Sequence, residues 1–89
     1  MDSSDVWRSF FETWPESIPR QGILVTVLNE TIPFVNFLLS SGLMIMERDK
    51  PDTYGSRKVI VSYNTISSVK LTSPEDLSTF KVMGFQKTL

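Results

Sequence analysis

The sequence predicts one mainly β domain with an N-terminal α-helix, five consecutive antiparallel strands forming a small barrel, and a short C-terminal helix. Three observations support this fold class: aromatic residues at helical spacing near the N-terminus, five short β-rich segments separated by turn residues, and a proline-led helix start near the C-terminus. The 89 residues are too few for two independent cores, so residues 1–89 form a single domain. A chain with 40% hydrophobic and 21% charged residues is expected to fold.

The first predicted element is a helix over residues 3–14. Ser3 or Ser4 is the expected N-cap, and Pro15 disfavours helical geometry in the residue before it, so the helix ends near Thr13. Bulky residues recur at i, i+3, i+4 and i+7 and share one face: Trp7, Phe10, Phe11 and Trp14. This aromatic face either closes the protein's own core, the interpretation we favour, or docks into a hydrophobic groove of another protein.

The predicted barrel occupies residues 22–71, where β-branched and aromatic residues are frequent. Turn residues interrupt it at 29–31 and 40–42, a loop covers 51–56, and a sharp bend falls at 64–65. The strands predicted between these interruptions are 22–28, 34–39, 43–50, 57–63 and 66–71.

A short C-terminal helix is predicted over residues 74–81, within a final segment that spans 73–89. Ser73 is a suitable N-cap, Pro74 suits the first helical position, and Glu75 and Asp76 place acidic groups in the first turn. These start signals predict a helix that covers one opening of the barrel.

Apolar residues occur on both faces of the predicted strands. In the first strand Ile23 and Val25 point away from Leu24, and in the second Phe34 and Phe37 are expected on opposite faces. A strand with one solvated face normally alternates apolar and polar residues. The outer face therefore needs cover from the aromatic helix, from a neighbouring subunit, or from both.

Composition restricts the chemistry of this chain. It contains no Cys and no His, which removes disulfides, thiolate nucleophiles, imidazole bases and Cys/His zinc sites. The four glycines are isolated, so no glycine-rich phosphate loop exists. We therefore expect a protein that is not an enzyme, with no catalytic residues, no metal and no cofactor.

Charge and hydropathy restrict the partners. The formal net charge is -1, and beyond the acidic residues 1–18 the chain carries eight basic and six acidic side chains. This excess is too small for a duplex-DNA binder, so no duplex DNA is expected. The sequence shows neither a signal-like segment nor an apolar stretch approaching roughly 20 residues, which predicts a cytoplasmic protein with no membrane contact.

Three segments carry a resemblance to a known family: 24–29, read as LVTVLN, 43–47, read as LMIME, and 59–69, read as VIVSYNTISSV. They are similar to the first, the third and the last two strands of the Sm-like family, which includes the bacterial Hfq branch. That family has an N-terminal helix and five strongly bent strands, the fourth and fifth joined by a near-turnless bend. Over residues 7–71 the resemblance implies a five-stranded, strongly bent antiparallel barrel of the Sm-like or SH3-like type.

The resemblance also implies self-assembly. In the Sm-like family the fourth and fifth strands of adjacent subunits pair edge to edge and close a ring of six or seven, which removes the exposed edges of an open barrel. A homo-oligomeric structural or binding scaffold of unknown ligand is the function this implies. The residues expected at the interface are Val59, Val61, Ile66 and Val69. The alternative is a monomeric SH3-like barrel that recognises a peptide, with the helix in place of a subunit.

Single-stranded RNA binding is a second hypothesis implied by the resemblance. Family members that bind uridine-rich RNA carry an acid and a Met-Asn pair between strands two and three, where this chain has only residues 40–42, SSG. At the later bend, in place of an Arg-Gly or Tyr-Lys-His run, it has Tyr63 and Asn64. Tyr63 is expected to stack on a base and Asn64 to hydrogen-bond a base edge.

Basic residues flank the predicted loop at 51–56 and meet at one end of the barrel if the adjoining strands pair as a hairpin. These basic residues either bind phosphate groups, as an RNA site requires, or form ion pairs with the interleaved Glu47, Asp49 and Asp52. The four basic residues are Arg48, Lys50, Arg57 and Lys58.

Overall fold

The computed structural model describes residues 2–87 and is mainly β with one N-terminal α-helix, α1, at Ser3–Glu12. The strands are β1 Gly22–Thr26, β2 Thr31–Phe34, β3 Asn36–Leu39, β4 Leu43–Glu47, β5 Lys58–Ser62 and β6 Ile66–Lys70. Two 3-10 helices lie at Tyr63–Thr65 and Leu77–Met83. The strands form two three-stranded antiparallel sheets, ordered β2-β1-β6 and β3-β4-β5. The predicted mainly β class with an N-terminal helix is confirmed.

The helix α1 begins at the predicted Ser3, but its N-cap lies one residue before the first of the two predicted caps, Ser3 and Ser4. Asp2 is the N-cap, and its Oδ1 accepts a hydrogen bond from the Asp5 N–H at 3.1 Å, which satisfies one of the free amides of the first turn. The helix ends at Glu12, and its aromatic face packs on the 3-10 helix Tyr63–Thr65 and on β3. Within this face Phe11 and Trp14 are buried, whereas Trp7 and Phe10 are partly buried against the core.

The turn between β1 and β2 is organised by a buried threonine. Thr26 Oγ1 accepts hydrogen bonds from the Leu28 N–H at 3.3 Å and the Glu30 N–H at 3.1 Å. Asn29 adopts a left-handed φ of 65°, a conformation that asparagine tolerates better than most residues. β1 therefore ends at Thr26, two residues before the predicted end of the strand.

The predicted second strand, 34–39, contains β3 and only the last residue of β2, because the chain breaks at Val35 and β2 already begins at Thr31, within the predicted turn. Residues 2–87 therefore contain six strands and not the predicted five. The Val35 N–H donates to the Glu47 carbonyl oxygen at 2.8 Å, and Asn36 is the register partner of the same residue. Two residues opposite one are the arrangement of a β-bulge. Phe34 and Phe37 are consequently both buried, and the prediction that they face opposite sides is wrong.

The core lies on the inner faces of the two sheets, beneath α1. The buried apolar residues are Phe11, Trp14, Ile18, Leu24, Ile32, Phe34, Phe37, Met44, Met46, Tyr63 and Ile66. On the outer face Leu38 and Ile60 remain exposed, since α1 packs on the inner side. Cover of the outer face by the helix alone is therefore excluded in this chain.

Two short segments connect the two sheets. Val35 links β2 to β3, and the 3-10 helix Tyr63–Thr65 links β5 to β6 at the predicted bend. Within residues 2–87 no strand of one sheet pairs with a strand of the other, so the strand pairing does not confirm a closed five-stranded barrel. At the C-terminal end the predicted helix 74–81 is instead the 3-10 helix Leu77–Met83.

No helix among residues 2–87 has both the length and the apolar character needed to cross a lipid bilayer.

Gly22 is required where β1 approaches β6. A Cβ at this position would lie 2.7 Å from the Lys70 carbonyl oxygen and 3.3 Å from the Phe34 ring. We expect Gly22→Ala to destabilise the protein by about 1–3 kcal/mol, because the backbone of β1 or β6 must move. Gly42→Ala is the matched control, since a Cβ there meets nothing within 4 Å. Urea unfolding of both variants tests this prediction, and equal stabilities would contradict it.

Candidate functional site

Two consecutive strands of the chain have open edges. β5 pairs only with β4, β6 pairs only with β1, and within residues 2–87 no strand covers the other side of either. Each open edge is five residues long. Unpaired N–H and C=O groups along such an edge are a template for a further strand, so β5 and β6 form the candidate assembly edges.

Ile60 lies at the middle of the open edge of β5. The Arg48 N–H donates to the Arg57 carbonyl oxygen at 2.9 Å, so the backbone groups of Arg57, Val59 and Val61 face β4 in the alternating antiparallel pattern. The N–H and C=O of Ile60 fall between these positions and face outward. Its side chain is 62% exposed. The β5 edge therefore offers both backbone hydrogen-bonding groups and an apolar side chain.

The remaining edges, those of β2 and β3, are blocked by side chains. Pro33 in β2 has no N–H to offer a further strand. In β3 the Phe37 N–H donates to Asn36 Oδ1 at 2.9 Å, and the Phe37 carbonyl oxygen accepts from Arg20 Nη1 at 3.1 Å. Each sheet thus has one blocked edge and one open edge.

An apolar row crosses the outer face of the second sheet and ends at the open edge. Leu38 is the register partner of Ile45, and Ile45 is the register partner of Ile60, so the three side chains share one face. Leu38 is 69% exposed, and Leu43 extends the same face. This outer apolar row is the kind of surface that association buries.

The four residues predicted at the interface lie mostly on the inner side of the open edges. Val59 and Val61 stand opposite Met46 and Met44 and pack against the core, as Val69 does. Ile66 is only 3% exposed, so its side chain belongs to the core and is not available to a second subunit. Backbone pairing along β5 and β6 does not depend on which way these side chains point.

Tyr63 is buried beneath α1. Its ring is 1% exposed, and its hydroxyl donates to the Ser40 carbonyl oxygen at 2.7 Å. Burial raises the pKa of the Tyr63 phenol above its ordinary value of 10.0. The predicted stacking role does not fit this arrangement, because a ring inside the core has no free face for a base. Tyr63 instead fixes the bend between β5 and β6 to the β3–β4 turn.

Asn64 and the basic residues lie at opposite ends of β5. Asn64 is exposed, and its Oδ1 accepts a hydrogen bond from Ser62 Oγ at 2.8 Å. Lys58 begins the strand and Ser62 ends it, which separates the two groups by about 13 Å along an extended strand. The structure therefore does not gather the predicted RNA-binding residues into one pocket of a single chain.

The basic residues do meet at one end of the β4–β5 hairpin. Lys58 Nζ lies 3.4 Å from Glu47 Oε2 across the two strands, the ion pairing considered as the alternative to phosphate binding. Arg48 Nε donates to the Lys50 carbonyl oxygen at 3.1 Å, while Lys50 and Arg57 are exposed. Phosphate binding by this end of the hairpin stays a prediction.

The loop of this hairpin is held by Asp52. Its Oδ1 accepts hydrogen bonds from the Tyr54 and Ser56 N–H groups, each at 2.9 Å. These hydrogen bonds lower the pKa of Asp52 below its ordinary value of 3.8, the hydrogen bond from Ser56 having the largest effect, and the positive charge of Arg48 lowers it further. Ionised Asp52 therefore stabilises the loop.

The lowered pKa predicts a pH-dependent effect of Asp52→Asn. A carboxylate with a lower pKa in the folded state stabilises the protein above its unfolded-state pKa, and this contribution is lost as pH falls through the folded-state value. Wild type should therefore melt at a higher temperature than Asp52→Asn near neutral pH, with the difference shrinking below pH 3.8. Asp49→Asn is the control, because within residues 2–87 the Asp49 carboxylate accepts no hydrogen bond. A pH-independent difference would contradict the prediction.

Sequence reasoning missed Leu38 and Ile60 as surface residues. Leu38 lies in the predicted strand 34–39 and Ile60 in the predicted strand 57–63, and the register of β3, β4 and β5 places both on the outer face. The sequence does contain an indication of this exposure. In residues 58–62, KVIVS, the side chain of Ile60 points to the face opposite that of Val59 and Val61. Two apolar phases within one strand indicate that one of them is exposed or covered by a partner.

Comparisons of the chain with protein-family models, with curated proteins and with solved structures find no match. The resemblance to the Sm-like family accordingly stays a prediction based on residues 24–69.

Proposed function

We propose that this chain is a non-catalytic Sm-like module that self-assembles into a ring through the edges of β5 and β6 and acts as a structural or binding scaffold. The order of elements supports the proposal. If β2 and β3 are counted as one strand bent at Val35, the N-terminal helix is followed by five strands. The last two of these strands, β5 and β6, are joined by the short 3-10 helix Tyr63–Thr65. This is the order that the resemblance implies for a strongly bent barrel.

The observation that carries the proposal is the difference between the blocked and the open edges. Pro33, Asn36 and Arg20 protect β2 and β3, whereas β5 presents Ile60 with its backbone groups unpaired. Proteins that remain monomeric normally protect such edges with charges, prolines or bulges. Two different open edges on one chain suit head-to-tail pairing, which closes into a ring when the rotation between subunits allows it.

The outer apolar row favours association over a lone domain. Leu38, Ile45 and Ile60 form it beside the open edge, and α1 covers only the inner side. A neighbouring subunit that pairs with β5 would lie next to this row and reduce its exposure to water.

Solution mass tests the proposal. We expect multi-angle light scattering at micromolar concentration to give about six or seven times the 10.2 kDa of one chain, the ring sizes that the resemblance implies. A single 10.2 kDa species would overturn the proposal and favour the monomeric SH3-like alternative.

A further inference from the structure

A large cavity lies between α1, the end of β6 and the C-terminal segment. Its volume is about 880 Å³, within the range of about 300–1,000 Å³ that is typical of small-molecule sites. Its walls are mainly apolar and include Trp7, Phe10, Val69, Leu71, Leu77 and Phe80. The cavity is separate from the core, from the outer apolar row and from the basic end of the β4–β5 hairpin.

A left-handed glycine precedes the last residues that line this cavity, Phe85, Gln86 and Lys87. Gly84 has a φ of 96° and ends the 3-10 helix Leu77–Met83, a position that strongly favours glycine. The chain then turns back, and the Phe85 ring lies 6.4 Å from the Phe10 ring, edge to face. Phe85 thereby joins Phe10 in the lining of the cavity.

The charged residues that line the cavity all have the same sign. They are Lys81 and Lys87, and no carboxylate side chain contributes to the lining. A lysine lays its alkyl stem along apolar surface while its ammonium group stays at the water boundary. The cavity therefore combines an apolar interior with positive charge.

We propose that this cavity binds a single-chain amphiphile with an anionic head group, such as a long-chain carboxylate. The alkyl chain lies against Trp7, Phe10 and Leu71, and the head group lies beside Lys81 and Lys87. The residues named for the alkyl chain and the head group lie outside β5, β6 and the outer apolar row, whereas the lining residue Val69 belongs to β6, so the cavity adjoins one of the two proposed assembly edges.

The lining chemistry favours this occupant over the alternatives. Water needs two to four polar partners to be held in a cavity, and the interior walls offer few. A cationic amphiphile would place its head beside two ammonium groups, and a neutral one would leave them without a counter-charge. An anionic head group satisfies both lysines while its chain occupies the apolar space.

Titration with three twelve-carbon probes below their micellar concentrations tests the proposal. We expect dodecanoate to bind saturably at one per chain, at least tenfold more tightly than dodecyltrimethylammonium, with dodecanol between them. Isothermal calorimetry measures affinity and stoichiometry. The fluorescence of Trp7, which lines the cavity, should change on binding, and Trp7→Phe should remove most of that change.

Charge-reversal variants locate the head group. Lys81→Glu combined with Lys87→Glu should weaken dodecanoate binding at least tenfold and leave dodecanol binding within twofold. Lys70→Glu is the matched control, because Lys70 lies between the lining residues Val69 and Leu71 but its side chain points to the other face of β6. It should change dodecanoate binding by less than twofold at 0.15 M salt.

A cavity-filling variant locates the alkyl chain. Ser78 lines the cavity and is exposed, so Ser78→Phe adds a ring there without disturbing the core. It should weaken dodecanoate and dodecanol alike by at least tenfold, with an unchanged circular dichroism spectrum.

Three results would overturn the proposal: no saturable binding of dodecanoate, equal affinities for the anionic and cationic probes, or equal losses in the charge-reversal variant and in Lys70→Glu. Binding of an amphipathic helical peptide in place of dodecanoate would also overturn it and would identify the cavity as a protein-docking groove. The solution mass of the chain is measured in the same samples, so failure of the ring and failure of amphiphile binding are distinguished.

Discussion

Phe37→Ala is expected to destabilise the protein by about 3–5 kcal/mol, the usual range for removing a buried phenylalanine. Phe37 is 2% exposed, and its ring centroid lies 5.2 Å from that of Phe11, 5.3 Å from that of Trp14 and 5.9 Å from that of Phe34. The Arg20 guanidinium lies 4.6 Å from the same ring, so truncation also removes a cation–π contact. One side chain thus joins α1 to both sheets.

The loss is large relative to the whole stability of a domain of 89 residues. At about 0.05–0.15 kcal/mol per residue, the total free energy of unfolding is about 4–13 kcal/mol. We therefore expect Phe37→Ala to be largely unfolded at 37 °C, or to melt far below wild type, in urea and thermal unfolding followed by circular dichroism. Tyr54→Ala is the matched aromatic control, because Tyr54 is 95% exposed, and its stability should change by no more than about 0.5 kcal/mol. Similar losses in the two variants would contradict this account of the core.

Local patterns predicted the elements whose physical causes are themselves local. The aromatic spacing of residues 7–14 predicted α1 and its packed face, because a 3.6-residue period depends only on positions along the helix. The turn residues at 29–31 and 40–42 predicted the two hairpin turns for a similar local reason. Asn29 adopts a left-handed φ of 65°, and Ser40 Oγ accepts a hydrogen bond from the Leu43 N–H at 3.1 Å.

The division at Val35 could not be predicted in this way. Residues 34–39, FVNFLL, are compatible with one continuous strand, and the pattern contains no proline or glycine at the break. The bulge depends on Val35 and Asn36 sharing Glu47 as a partner, a contact about eleven positions away in the chain. A single inserted residue reverses every later side chain in the strand, which is why Phe34 and Phe37 share the core.

Dependence on distant contacts also explains why only some features of the candidate site could be predicted from the sequence. The bend at 64–65 was predicted from its residues, but the burial of Tyr63 depends on α1 closing over it and on the Ser40 carbonyl oxygen. Ile60 and Leu38 are brought into one row only by the register of three strands. Residue type and spacing indicated that an outer apolar face exists, and the register decides which residues form it.

If the chain forms the proposed ring, Ile60→Pro is expected to abolish self-assembly and to reduce the solution mass from that of the proposed six or seven chains to the 10.2 kDa of one. The Ile60 N–H faces the open edge and makes no bond to β4, so proline removes a donor that only a neighbouring strand would use. The pyrrolidine ring also obstructs the approach of that strand. The fold should persist, with a melting temperature at most modestly below wild type, because proline is accepted at outward-facing positions of edge strands.

Two neighbouring variants separate backbone pairing from apolar contact and from unfolding. Ile60→Thr keeps the N–H and the β-branched shape, so it should weaken the ring less than Ile60→Pro if strand pairing holds the subunits together. Val61→Pro removes an N–H that faces β4, so it should lower the melting temperature of the chain itself. Light scattering and circular dichroism on the three variants distinguish these effects. If Ile60→Thr dissociates the ring while Ile60→Pro leaves it intact, the outer apolar row and not the β5 edge joins the subunits.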